Sequence, residues 1–232
     1  EFMANDFKKV IAIDISQIIY GTGVSRYTKE LINHLVALKD LKLTLFGGSL
    51  RRRSDIINFA KRLPNTSTKT FPLPPTLIHH LWNTLHVLPI ERLIGQVDLV
   101  HTSDWAEPPS KYPKVTTVHD LSFLKDPEFM PPSIRQVHKK RLFWATKEDI
   151  KIIAVSQATK NDLLSHFDIS PEKVEVIYEA PSLTPPASRA PSITGPIFNR
   201  MGIQKPFFLV PGSGHPRKNL KRIIQAFKQF PK

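Results

Sequence analysis

The chain has no cysteine. That excludes disulfides, thiolate metal sites and cysteine nucleophiles together, and it fits a reducing compartment. No run of about 18 apolar residues occurs, so no segment is suited to cross a bilayer as a helix. The start carries no secretory pattern, and Glu1-Phe2 ahead of Met3 resembles a cloning remnant. Common nucleotide motifs are missing too. Gly21-Thr22-Gly23 opens like the dinucleotide fingerprint G-x-G-x-x-G, but Arg26 holds the third glycine position. The acid that would grip a ribose should end the second strand, and Asp40 precedes that strand instead, so NAD binding is not expected. No paired carboxylates stand out. His79-His80, His86 and His101 lack ligand spacing, so no metal is expected. Acidic residues are few: 20 Asp+Glu face 33 Lys+Arg, a formal charge of +13 over 232 residues. Such a balance suits nucleic acid, an anionic membrane surface or phosphorylated ligands, and equally plain solubility. Binding of single-stranded nucleic acid calls for aromatics interleaved with the basic runs. Arg51–Arg53 and Arg217-Lys218 have none, so no nucleic acid partner is expected.

What is present is enough apolar material for a core, at 41%. Lys8–Ile15 is a short β-branched run suited to a strand buried on both faces. Val24, Tyr27, Leu31, Leu35 and Leu38 then recur at gaps of three and four, an amphipathic helix. Leu41–Phe46, Thr68–Leu73, Val97–His101, Lys114–His119, Lys151–Val155 and Val174–Tyr178 read as further strands. Helices are expected near 51–62, across 76–94 with a break at Pro89, from a Ser133/Gln136 capping box to about Glu148, and from a Ser156 cap to about His166. Ser170-Pro171-Glu172 reads as a single helical turn. Strands alternating with helices imply a doubly wound, mainly parallel α/β sheet over residues 1–180. Residues 181–205 hold Pro181, Pro185, Pro186, Pro191 and Pro196 among serines and threonines, a linker. Over residues 206–232, Phe207–Val210 reads as a strand, Pro211–Gly214 as a turn and Asn219–Phe230 as a helix, one βα unit of a second domain. One such unit cannot bury its apolar face alone.

In open α/β sheets ligands bind where strands end at their carboxyl termini. Gly21-Thr22-Gly23 follows the first strand, Thr102-Ser103-Asp104-Trp105 follows Val97–His101, and His119-Asp120 closes the next strand. A glycine turn lets backbone N–H groups approach an acceptor or phosphate, or simply turns the chain. His119 can titrate near neutrality or donate a hydrogen bond. Asp120 could orient backbone or begin a helix, and Asp98 and Asp104 are possible general bases. Arg217 and Lys218 open the last helix, where cations oppose the dipole unless an anion binds. A phosphate or diphosphate answers that cost, although the G-x-x-x-x-G-K-[ST] spacing fails. Solvated surface charge is the other reading.

Four segments resemble glycosyltransferase family 4, the retaining GT-B group that includes mannosyltransferases. They are Gly21–Leu31, Thr117–Phe123, Ile152–Lys160 followed by Val174–Tyr178, and Pro216–Leu220. The resemblance implies two Rossmann-like domains facing a cleft, with the acceptor on the first and a nucleotide-sugar donor on the second. It places Gly21, Thr22, Gly23, Asp104 and Asp120 on the acceptor side, His119 beside the transferred sugar, and Arg217 and Lys218 on the donor diphosphate. It implies no metal and no cofactor, only the nucleotide-sugar as substrate. Transfer of a hexosyl group to a saccharide or lipid-linked acceptor, in cell-surface polysaccharide synthesis, is the implied activity. The second domain is expected to be cut after its first helix, leaving this chain inactive alone. A cytoplasmic setting is implied, with Arg51–Arg53 and the apolar Ile56, Ile57, Phe59 and Ala60 offering contact with an anionic membrane, or packing on the sheet. A non-catalytic acceptor-binding or membrane-surface-binding domain is the alternative.

Overall fold

The computed structural model describes residues 9–182, 198–203, 207–210 and 216–230. The chain separates into two compact units, Glu1–Ser182 and Leu183–Lys232. In the first unit the elements run β1 (Lys9–Asp14), α1 (Gly23–Leu35), β2 (Leu41–Gly48), α2 (Arg53–Ala60), β3 (Thr66–Phe71), α3 (Pro75–His79), α4 (Glu91–Ile94), β4 (Leu99–Thr102), β5 (Lys114–Val118), α5 (Ser122–Lys125), α6 (Pro132–Lys147), β6 (Ile150–Ala154), α7 (Gln157–His166) and β7 (Val174–Val176). The seven strands form one sheet in the order β3-β2-β1-β4-β5-β6-β7, every pair parallel. This is the expected doubly wound α/β sheet.

Side-chain alternation shows why both faces are covered. Ala12 and Phe46 point into a cluster with Ile78 and Trp82 of the α3 region and Ile94 of α4. Their neighbours Ile13, Leu43 and Leu45 point the other way, onto Ile32 of α1 and Ile56 and Ala60 of α2. A third cluster joins Ile150, Ile152 and Ala154 to Leu142 and Ala145 of α6 and Leu163 of α7. Strands covered on both sides read as continuous apolar runs, as Val10–Ile13 of β1 does, whereas β6 alternates, with Lys151 exposed between buried Ile150 and Ile152. The stripe of α2 is therefore spent on the sheet. Ile56 and Ala60 are buried and Phe59 packs beside them, while Arg51, Arg52 and Arg53 remain exposed. β2 ends at Gly47-Gly48 because α3 crosses there: a side chain on Gly48 would collide with Ile78 Cδ1.

Several boundaries differ from expectation. The helical stretch across 76–94 is interrupted earlier than Pro89. α3 passes into a π turn over His80–Thr84, and His86 and Leu88 then adopt positive φ, 52° and 65°. Trp82 dictates the break, with its indole N–H donating to Leu88 O at 3.1 Å and its carbonyl meeting His86 Nδ1 at 2.9 Å. α6 begins at Pro132 rather than through a Ser133/Gln136 box, with Pro131 at the N-cap and no side-chain cap. Proline at the first helical position loses no hydrogen bond there. Ser156 does cap α7, accepting from Thr159 N at 3.0 Å.

In the second unit the helix Leu220–Lys228 is present. Phe207–Val210 is not a strand, since the described residues of this unit offer it no partner edge. Most of the proline-rich stretch, and the residues 211–214 expected to turn, lie outside the described residues.

Candidate functional site

The strand order reverses about β1: β2 and β3 lie to one side, β4 to β7 to the other. The loops leaving β1 and β4 diverge there and open a crevice at the carboxyl edge. Gln17, just after β1, ties the three walls. Its side-chain N–H donates to Thr28 Oγ1 at 2.6 Å, its Oε1 accepts from Asp104 N at 3.2 Å, and its carbonyl accepts from Ser25 Oγ at 2.5 Å. The glycine turn delivers α1 to this point. Gly21 takes φ +68°, which side chains resist, and Thr22 then caps the helix reciprocally with Ser25.

His119 follows the last residue of β5. Its Nδ1 lies 2.9 Å from Glu179 Oε1, and Tyr27 meets its ring edge-on at 4.8 Å between centroids. Tyr27 Oη is 3.1 Å from Thr117 Oγ1, which is 3.0 Å from His101 Nε2. Burial drives His101 down to about 4, helped by the Arg141 and His119 charges, so it is neutral at pH 7. Burial also raises the Tyr27 hydroxyl, with Thr117 opposing and Glu179 adding. His119, Asp104, Gln17, Thr28, Tyr27 and His101 share one depression. A carboxylate on Nδ1 fixes the imidazole N–H there and turns Nε2 free as an acceptor.

Beneath this depression Arg141 is wholly buried. It donates to Thr116 Oγ1, to Thr117 O at 3.1 Å, and at 3.5 Å to Asp104 Oδ1, while its Nε has no partner among the described residues. Beside it, His138 lies under Trp105 and Phe123, at 4.8 Å and 5.4 Å. Burial lowers the His138 pKa, Asp104 and Asp120 pull it up, and Arg141 pushes it down. Asp14, at the end of β1, is raised by burial despite hydrogen bonds from Ser16. A second depression, bounded by Asp14, Gln17, Tyr20, His79 and Trp105, adjoins the first.

Among the residues singled out by sequence, His119 and Asp104 come together. Gly21, Thr22 and Gly23 are exposed and stand outside that wall, acting through the Tyr27 and Thr28 of the helix they start. Asp120 accepts from Ser122 N and Oγ at 2.9 and 2.6 Å, the helix-starting role. Asp98 accepts from Val10 N at 2.7 Å and braces β1. Lys218 is exposed in the short turn Pro216–Lys218 of the second unit, which also contains Arg217. Sequence reasoning missed Glu179, Arg141, Gln17, Tyr27 and His138. Arg141 had one signal: it falls on the buried stripe of α6 with His138, Leu142 and Ala145. Among the described residues no group of three or more histidines and carboxylates is placed to hold a metal ion. Nor, among them, is any helix long and apolar enough to cross a membrane.

The parallel sheet and its carboxyl-edge crevice define a Rossmann-like α/β protein. The family model described as Glycosyltransferase Family 4 matches residues 21–180, and the chain belongs to that family. It is 22% identical over 228 residues to O-antigen chain mannosyltransferase B of Escherichia coli, covering 90% of this chain and 57% of that protein. A solved glycosyltransferase from Rickettsia africae ESF-5 aligns with a TM-score of 0.46 and 13% identity, covering 86% of this chain and 51% of that one. A short-chain dehydrogenase from Oenococcus oeni PSU-1 aligns with a TM-score of 0.34 and 12% identity, covering 67% of this chain and 84% of that one. The chain thus spans little more than half the length of its glycosyltransferase relatives.

Proposed function

We propose that this chain carries the acceptor side of a retaining glycosyltransferase that moves a hexosyl group, mannosyl in the first instance, from a nucleotide-sugar to a saccharide or lipid-linked acceptor of a cell-surface polysaccharide. The observation that carries the reading is the crevice at the ends of β1, β4 and β5, where His119 held by Glu179 faces Asp104 and Gln17. His119, Glu179 and Asp104 fall within the residues matched by the family model, 21–180, while β1 and Gln17 precede them.

The Glu179 carboxylate holds the Nδ1 proton and leaves His119 Nε2, unpartnered among the described residues, to bind a sugar hydroxyl. Asp104 and the Gln17 amide orient the acceptor. Arg217 and Lys218 neutralise the diphosphate as the glycosidic bond breaks, stabilising the leaving group where negative charge grows. No metal or cofactor is required. The exposed Arg51–Arg53 add contact with an anionic membrane at the cytoplasmic face, by charge rather than insertion. Domain limits of 1–180, 181–205 and 206–232 belong to the same reading, with the donor side beginning in the last of them.

The test is transfer by the full-length enzyme from a panel of nucleotide-sugars, GDP-mannose included, read by mass spectrometry of the product. Transfer with retention supports the reading. A full-length protein that binds saccharide yet transfers nothing from any donor would turn it toward a binding domain.

A further inference from the structure

α3 and its π turn face α6 across an open groove of about 300 Å³, at the lower end of the size range for small-ligand sites. We infer that this groove is a second saccharide subsite, so that the acceptor is an oligosaccharide of two units or more. Its reacting end occupies the His119 crevice, and a more distant unit lies between α3 and α6. This deepens the proposed function and rests on it.

Continuity is the first support. The depression bounded by Asp14, Gln17, Tyr20, His79 and Trp105 shares Asp14 and Gln17 with the His119 crevice. The same depression shares His79 with the groove. The three concavities therefore adjoin one another in series, from the carboxyl edge onto α6. Chemistry is the second support. The groove presents the hydroxyls of Thr76, Thr84 and Ser133, the Gln136 amide and two imidazoles, with Lys140 as its one ammonium and no carboxylate. Lys140 is already bonded to Thr84 Oγ1 at 3.1 Å. The side chains of Thr76, His79, His80, Ser133 and Gln136 make no hydrogen bond to a described residue, which leaves donors and acceptors of both kinds for a polyhydroxylated ligand.

The junction between the concavities is the third support. His79 and Trp105 lie nearly parallel, 11° apart with centroids at 6.0 Å, and both rings line the middle depression. A stacked aromatic pair flanked by hydrogen-bonding groups, at the point where the two concavities adjoin, offers both apolar and polar contact to a sugar. Burial, then the His138 charge, lowers His79 to about 4, so it is neutral at pH 7 and can both donate and accept. A lone, partly engaged lysine and no basic cluster disfavour a polyphosphate occupant.

The experiment compares methyl hexosides with the corresponding di- and trisaccharides, in gluco, manno and galacto series, by amide and side-chain NMR of this chain. Monosaccharides are expected to move Gln17 and the Trp105 indole alone. A trisaccharide of the right series should also move the Gln136 side-chain amide and bind about tenfold more tightly. In the full-length enzyme, Ser133→Trp, which fills the groove mouth, and Gln136→Ala should raise KM for the trisaccharide about tenfold. Both should leave the monosaccharide KM within about twofold, with unchanged melting temperature. Crevice binding with no gain from chain length and a silent Gln136 would overturn the groove while sparing the acceptor reading. Failure of every saccharide to move Gln17, Trp105 or Gln136 would overturn both.

Discussion

Lys114→Met is a sharp test of how the crevice is held in place. Lys114 is the first residue of β5, and its ammonium is buried. It lies 3.0 Å from Glu107 Oε1, donates to Pro108 O at 2.7 Å and pairs with Glu148. Glu107 is fully buried and also accepts from Thr102 Oγ1 at 2.8 Å. Asn83 binds the backbone at both Trp105 and Glu107, so this charge cluster anchors the loop that carries Asp104. Methionine keeps the length of the lysine stem and removes its charge, leaving the Glu107 carboxylate buried without a counter-ion. Breaking one side of a buried pair costs about 3–5 kcal/mol. For a unit of this size that lowers the melting temperature by roughly 6–20 °C. Glu107→Gln alone should cost less, about 1–2 kcal/mol, because Lys114 keeps Glu148 and Pro108. Adding Glu107→Gln to Lys114→Met should restore stability by about 2 kcal/mol relative to Lys114→Met. Urea unfolding followed by tryptophan fluorescence measures all four corners of the cycle. A Lys114→Met variant within about 1 kcal/mol of the parent, or a double variant no better than the single, would refute the reasoning.

His119→Ala in the full-length enzyme should lower turnover about 100-fold or more with the fold intact by circular dichroism, and near-normal turnover would remove it from the site. Glu179→Ala should mix the His119 tautomers in ¹⁵N NMR, whereas Glu179→Gln, whose carbonyl still accepts from Nδ1–H, should keep most of the native one. His101 titrates at about 4 in the fold against 6.5 when unfolded, so the unfolded chain takes up the extra proton between those values. Its contribution is complete above pH 6.5 and is lost as pH falls toward 4, by up to about 3 kcal/mol. Urea midpoints at pH 7, 5.5 and 4.5 should fall less in His101→Asn than in the parent. Gly21→Ala should cost about 1 kcal/mol because φ is +68°. Gly23→Ala should be neutral or better, since it lies inside α1 and a methyl there meets nothing within 4 Å.

The fold was legible because its signals are local and repeated. Apolar runs such as Val10–Ile13 and Ile152–Ala154 can be seen one at a time, and their alternation with helices leaves little choice but a parallel sheet. The failures lie where a neighbour decides. The π turn at His80–Thr84 exists because Trp82 bonds forward to Leu88. Phe207–Val210 has strand composition, yet a strand is a relation between two edges, and none is offered among the described residues of its unit.

The candidate site divides along the same line. His119 and Asp104 stand out because they follow apolar strands, a position that one segment reveals. What gives them their chemistry comes from far along the chain. Glu179 is 60 residues from His119, and Arg141 is 37 from Asp104. Arg141 shows how a buried charge disguises itself: in sequence it is one more cation in a basic helix, Lys139-Lys140-Arg141. Only its phase on the stripe of His138, Leu142 and Ala145 betrays it. Burial then makes it count, because a guanidinium sealed beneath Thr116, Thr117 and Asp104 acts on the crevice without the screening water gives a surface charge. Arg141 therefore both holds the Asp104 carboxylate and disfavours protons on His101 and His138. His119 is bonded instead to a carboxylate, Glu179, which fixes the orientation of its ring. Two neighbouring histidines are thus kept from protonating while the third is oriented by Glu179, an arrangement that arises from packing no short motif encodes.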